Sequence, residues 1–345
     1  MSPALLIRKF IITLILIIFA NISKVEAADT VINDGGTTTS QQGLSGAGDT
    51  LTISNESTLT RPNTAVNVTA NEVSVTVNSG STIITSSADK AIYANDVEDL
   101  TVTNSGTLDA ARGKTVDIKG TTNATITNNT GGVISALKNT IAISGSPSNP
   151  TTGYNISNSG TIYASNGTNS AIYTSNTTSS GDITNKSGGE IYSLGTKSTI
   201  ILGASSTLTN SGSIKNKLDP DNNAIKALGN SNTITLKNDG IVVGKIIAAS
   251  GTSGNTLKFQ HGFGQGYFYE TSGDFTLEDL DGNQVVKGSA GSVGQGGSET
   301  LDELLGYKSL NIRKSLNRYK KSKSFIEGKD SWGEAYVSNL KRKEN

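Results

Sequence analysis

Aliphatic side chains recur through the middle of the chain in three series, each advancing by about one solenoid coil at a time. The first series is Val102, Ile126, Ile156, Ile183, Leu208 and Leu236, and the second is Leu108, Ile134, Ile162, Ile191, Ile214 and Val242. Half a period later comes a third, centred on Ile92, Val116, Ile141, Ile172, Ile200 and Ile225. The residues between them alternate among Thr, Ser, Asn and other small groups, the pattern of short strands buried on one face. Three such strands per unit predict one triangular coil of a parallel β-helix. A unit of this size buries its apolar face only by stacking on its neighbours.

Between the first and second series lies a repeated turn. It reads Asn78-Ser79-Gly80, Asn104-Ser105-Gly106, Asn158-Ser159-Gly160, Asn210-Ser211-Gly212 and Asn238-Asp239-Gly240, with stretched copies at Asn128–Gly132 and Asn185–Gly189. The leading asparagines are 26, 24, 30, 27, 25 and 28 residues apart. Asn and Gly most readily adopt the left-handed backbone that bends a chain between strands. Stacked asparagines can also hydrogen-bond up the solenoid as a side-chain ladder. Val73, Val75 and Val77 run in the opposite phase to the later pre-turn positions, which leaves the register of the first unit open. The predicted fold is all-β: a right-handed parallel β-helix of about nine coils, then a short basic helix and one terminal strand.

Composition agrees with a thin core. Only 34% of residues are hydrophobic and 5% aromatic, yet charge is 17% and the aliphatics are periodic, which distinguishes a solenoid from a disordered chain. No cysteine is present, so disulfides and thiolate metal sites are excluded. Near the N-terminus, Arg8-Lys9 precede an apolar run from Phe10 to Ala20, and Val25-Glu26-Ala27 has the small-residue form of a cleavage site. That layout predicts a signal peptide over 1–27. Residues 1–27 carry a net +2 and 301–345 a net +5, so with a total of zero the segment between carries −7. An acidic body without a basic, aromatic-studded face excludes nucleic acid as a partner.

After residue 258 the character changes. Phe259 to Tyr269 concentrates aromatics suited to covering an open coil, and a Gly/Ser linker follows over 287–300. Ile312, Leu316 and Tyr319 lie at helical spacing among Lys and Arg, and Trp332, Tyr336 and Leu340 fall on one side of an alternating run. The expected division is 1–27 signal peptide, 28–60 N-terminal cap and first coil, 61–258 repeats and 259–286 capping segment. Beyond these come the 287–300 linker, a 301–329 basic helical linker and a 330–345 barrel start.

This order of parts resembles the autotransporters of type V secretion. The repeated Asn-Ser-Gly-x-Leu/Ile, at Asn104–Leu108 and Asn158–Ile162, is similar to pertactin-type passenger coils. Asp34 to Ser40 and Gly48 to Ile53 look like passenger N-termini. The basic helix stands where the family has its pore-threading segment, and Trp332-Gly333-Glu334 where its first barrel strand begins. The resemblance implies a non-catalytic, exported stalk or adhesin-like passenger at the surface, in the outer membrane or outside a Gram-negative-type bacterium. Its implied partners are an outer-membrane barrel and a surface glycan or a host or cell-surface ligand. A barrel needs about eight strands, and one such run precedes Asn345, so the expectation is a truncated or split gene with the barrel supplied elsewhere or lost. Two alternatives stay open: a secreted β-helix polysaccharide lyase or hydrolase, and a soluble carbohydrate-binding rod.

Chemical motifs are sparse. His261 is the only histidine and is expected to face solvent in a loop; no G-x-S-x-G elbow accompanies it. Gly113-Lys114-Thr115 lacks the upstream glycine of a phosphate loop, and Gly262 to Gly266 does not fit the dinucleotide fingerprint. Asp219-Pro220-Asp221-Asn222-Asn223 offers hard oxygen ligands without the glycine and glutamate of a calcium loop, and reads as a polar surface loop. Asp109, Asp117 and Asp182 fall at different phases of the repeat, so they do not read as a catalytic carboxylate set. No residue is assigned a catalytic, cofactor-binding or metal-binding role, and no cofactor is expected.

Overall fold

The computed structural model describes residues 27–146, 148–175, 179–285, 290–292, 305–306, 309 and 312–314. The expected signal peptide, save Ala27, and the expected terminal strand over 330–345 lie outside the described residues. Of the basic helix, Leu305-Gly306, Ser309 and Ile312–Lys314 are described and helical.

The chain winds as an all-β parallel solenoid of about ten turns. Each turn contributes one strand to each of three sheets. The first sheet has 11 strands, the second 9 and the third 10, and within each every strand pairs in parallel with the strand one turn earlier and later. The commonest strand spans four residues that alternate half-buried and buried, as in Thr101–Asn104, Thr107–Ala110 and Thr125–Asn128. The reason is the period of two along a strand: Thr faces out while Val, Ile or Leu faces the axis.

The three aliphatic series become three interior columns. In the second sheet Leu108, Ile134, Ile162, Ile191, Ile214 and Val242 lie in successive register. In the third, Ile92, Val116, Ile141, Ile172, Ile200 and Ile225 do the same. In the first, Val75, Val102, Ile126, Ile156, Ile183 and Leu208 are stacked, and the next member is Ile234. Burying one such side chain stabilises by about 1.5–3 kcal/mol, and the columns join into one continuous core.

Ile234 replaces Leu236 in the expected series, and this exposes a misreading of the turn. Leu236 pairs with Asn210, and Val77 pairs with Asn104. The inward column at the end of the first sheet therefore reads Ile53, Val77, Asn104, Asn128, Asn158, Asn185, Asn210, Leu236, Phe259. Asn78 and Asn238 are not in it; they lie in the turns themselves. Two turn lengths alternate from Val77 to Leu236. Two residues separate the sheets after Asn104, Asn158 and Asn210; four separate them after Val77, Asn128, Asn185 and Leu236. Asn78-Ser79-Gly80 thus corresponds to Asn129-Thr130-Gly131, and the apparent break of phase at Val73–Val77 disappears.

Left-handed backbone explains only part of the turn. Gly80, Gly131 and Gly188 take φ of 79°, 82° and 81° in the long turns, whereas the ladder asparagines have ordinary negative φ. The glycine immediately before the second sheet serves a different end. A Cβ on Gly160 would overlap the carbonyl oxygen of Gly132 one turn below. Stacked turns approach backbone to backbone there, and only glycine fits.

Five asparagines form the ladder itself. Asn104 donates to Asn128 at 2.8 Å, Asn128 to Asn158 at 2.8 Å, Asn158 to Asn185 at 2.9 Å and Asn185 to Asn210 at 2.8 Å. Each Nδ2 also reaches a carbonyl at the start of the next turn's second-sheet strand, such as Val133 O at 3.1 Å from Asn104 and Thr161 O at 3.2 Å from Asn128. All five side chains are buried, so these bonds remove a desolvation cost of about 1–3 kcal/mol per group. At the next corner buried threonines act similarly: Thr140 donates to Tyr163 O at 2.6 Å and Thr199 to Lys215 O at 2.9 Å.

Parallel pairing continues beyond residue 258. Thr276–Asp279 pairs with 256–259 in the first sheet, and Thr271-Ser272 with Ile246-Ile247 in the third. The second sheet stops at Ile241–Val243. Past that edge, Tyr267–Tyr269 pairs antiparallel with Ala290–Ser292 instead.

Candidate functional site

Three surface features arise where outward side chains of successive turns meet. The first is an aromatic stack on the second sheet. Tyr163 and Tyr192 follow the core residues Ile162 and Ile191 by one position, so both point outward and in register. Their rings stack at 4.8 Å between centroids, 5° from parallel. Lys217 Nζ caps the Tyr192 ring at 3.4 Å and pairs with Glu190 at 3.1 Å, which Lys215 also approaches at 3.4 Å. Burial, with smaller contributions from Tyr163 and Glu190, raises the Tyr192 hydroxyl above its usual range. The Tyr192 ring is thereby covered by Tyr163 on one side and also by Lys217.

A second feature closes the far end of the rod. Phe259 completes the asparagine column and is fully buried. Tyr267 stacks on it at 4.7 Å and Tyr269 at 5.8 Å, with His261 4.9 Å from Tyr267. Tyr267 donates to Asp279 at 2.7 Å, and Tyr269 Oη lies 3.0 Å from His261 Nε2. Burial pushes the Tyr269 hydroxyl up to about 12. Partial burial pushes the Asp279 carboxyl up, but hydrogen bonds from Tyr267, Asn283 and Asp281 outweigh this and hold it below its usual value. The sequence predicts a solvent-facing loop position for His261, and the structure corrects this. The imidazole is half-buried among rings, and that burial lowers its pKa against the attraction of Asp279 and Asp281. The glycines around it let the chain fold the imidazole back onto the cap.

The third feature is a recess of about 200 Å³ at the corner leaving the third sheet. Asn95, Lys119 and Ser144 end three successive strands in register and form its floor. Asp96 and Gly120 follow, both with φ near 55°. The wall is Gly145, Ser146 and Asn149, the last two joined by backbone bonds at 2.9 and 3.0 Å. Asp96 accepts from Asn95 Nδ2 at 2.5 Å and from the Asn149 amide. Beside the recess, Lys119 Nζ sits 5.7 Å and Lys90 Nζ 5.2 Å from the Tyr93 ring centre.

The other sequence candidates are dispersed. Asp182, Asp109 and Asp117 lie on the first, second and third sheets respectively, so the fold does not gather them. Asp109 accepts from Ser135 at 2.5 Å, and Asp117 is buried against Lys114 at 2.9 Å. Gly113 makes a close backbone approach to Asp89, while Thr115 bonds the carbonyl of Ser135. In the 219–223 loop, Asp219 accepts from the Asp221 amide at 2.9 Å, and Lys245 lies 3.9 Å from the Asp221 carboxylate. Among the described residues no group of three or more His, Cys, Asp or Glu side chains is placed to hold a metal ion.

Sequence reading missed the recess and the tyrosine stack. Recurrence of Ile-Tyr at 162–163 and 191–192 was the available signal for the stack. The recess had none, because it depends on an insertion after Ser144 folding back over earlier turns. No protein-family model matches this chain, and neither does any curated protein or solved structure to which it was compared.

Proposed function

We propose that the chain is an exported β-helical passenger of the autotransporter kind, a stiff non-catalytic stalk that carries its corner loops away from a cell surface. The observation that carries this reading is the unbroken parallel stack of 11 strands in the first sheet. At about 4.8 Å per strand it makes a rod roughly 48 Å long. Repetition of this kind favours folding from one end, each completed turn presenting a template for the next. Asparagine and threonine bonds between turns tie buried polar side chains of successive turns together and stiffen the rod. The elaborations lie at corners, in the exposed positions Ser146, Ser148 and Pro150 and in the exposed loop Lys217–Asp221. On this reading the partners are an outer-membrane barrel and a glycan or protein at a cell surface.

Proteinase K added to intact cells tests it. Cleavage at the corner loops with periplasmic markers left whole is the expected result. Full protection of the chain until the cells are lysed would refute surface display.

A further inference from the structure

We infer that the recess at the third-sheet corner is a binding subsite for one residue of an acidic glycan, with Lys119 receiving the sugar carboxylate. The recess, about 200 Å³, is of the order of a single hexose and is concave because three turns supply its floor and a folded-back segment its wall. Its lining side chains carry amide, hydroxyl, ammonium and carboxylate groups, from Asn95, Asn149, Ser144, Ser146, Lys119 and Asp96. That mixture suits a ligand bearing vicinal hydroxyls.

The hydrogen-bond inventory says which groups remain to meet a ligand. Asn95 and Asn149 direct their amide N–H groups to Asp96. This fixes their side-chain oxygens, which are left as acceptors for sugar hydroxyls. Both oxygens of the exposed Asp96 carboxylate accept these bonds, which points its acceptor sites at the two amides. Ser144, half-buried on the floor, adds a hydroxyl. Lys119 is the cation of the recess and, among the described residues, has no carboxylate within 4.0 Å; its ammonium lies beside the Tyr93 ring, which Lys90 also approaches. Two ammonium groups around one ring, one of them without an acidic partner, favour an anionic ligand over a neutral one. The geometry requires no display on a cell, so this inference stands apart from the export reading.

Titration calorimetry of the purified full chain at low salt, with tetragalacturonate, a hyaluronan tetrasaccharide and neutral maltotetraose as probes, tests it. At least one acidic probe is expected to bind, with maltotetraose at least tenfold weaker. Lys119→Ala should weaken the acidic probe about tenfold or more, the size of one charge-assisted bond, and Lys119→Arg should restore most of it. Lys138→Ala, a lysine outside the recess, should leave binding unchanged. Unchanged circular dichroism in each variant separates lost binding from lost folding. Failure of both acidic probes to bind, equal binding of maltotetraose, or indifference to Lys119→Ala in a folded variant would overturn the assignment.

Discussion

Asn158 donates its side-chain amide to Asn185 across 2.9 Å, although 27 residues separate the two in sequence, and itself accepts from Asn128 at 2.8 Å. The bond ties one turn of the rod to the next from inside. Its direction is the same at every rung, so removing a middle member orphans the acceptor above it.

That asymmetry predicts unequal costs for the same substitution. Asn158→Leu leaves Asn185 Oδ1 buried without its ladder donor and should lower stability by about 2–3 kcal/mol. Asn210→Leu occupies the last ladder position, next to Leu236, where the column is already apolar. Asn185 Nδ2 keeps Gly189 O and Ser213 O as partners at 3.2 Å each. The expected loss there is about 1 kcal/mol or less. Urea unfolding midpoints measure the difference, and equal shifts would argue against the ladder.

Two turn glycines should also separate. Gly131 has φ +82°, and nothing lies within 4 Å of where an added methyl would stand, so Gly131→Ala incurs only left-handed strain, about 1–2 kcal/mol. Gly160 has no such strain, but its added Cβ overlaps the carbonyls of Gly132 and Asn129. Gly160→Ala must push two turns apart and should cost about 3 kcal/mol. Thermal melting of the two variants checks the order.

The aromatic cap should respond to acid in two stages. Burial lowers the pKa of His261 below its ordinary 6.5, so the folded cap holds the neutral ring. The unfolded chain binds this proton more readily, and stability from the group is present above pH 6.5 and lost as pH falls toward the lowered value. In the cap Asp279 lies below its ordinary 3.8, and its contribution is lost only at more acid pH; Asp49, at the opposite end of the rod, is held low in the same way by backbone bonds from Ala28 and Gly46. Near-UV circular dichroism of the stacked rings should therefore change only as pH falls below 6.5, and His261→Phe should abolish that first step while leaving the second.

The three aliphatic columns were legible because strand alternation and coil length both leave periodic marks in sequence. Ile162 and Ile191, for example, occupy the same interior position as the spacing predicts. The ladder's ends were not legible. Asn78 looks like a ladder member, yet the inward neighbour is Val77, because a turn with two more residues shifts the asparagine off the strand without changing the Asn-Ser-Gly string. Asn238 and Leu236 are confused in the same way. Strand ends are set by which carbonyl accepts which amide between turns, as when Ser105 N bonds Val77 O, and a single chain's residue pattern does not encode that choice. The recess was beyond reach for a related reason: the Asp96–Asn149 contact joins residues two turns apart through an insertion.

In-register stacking of neighbouring turns is tested most directly by cysteine cross-linking, in a chain whose sequence contains no cysteine. Thr103, Thr127 and Ser157 occupy one outward column on successive strands. Adjacent members lie about 4.8 Å apart, within disulfide reach, and alternate members about 9.6 Å apart, outside it. Mild oxidation should link Thr103→Cys to Thr127→Cys, and Thr127→Cys to Ser157→Cys, but not Thr103→Cys to Ser157→Cys. Ready bridging of that last pair, with neither adjacent pair closing, would contradict the solenoid.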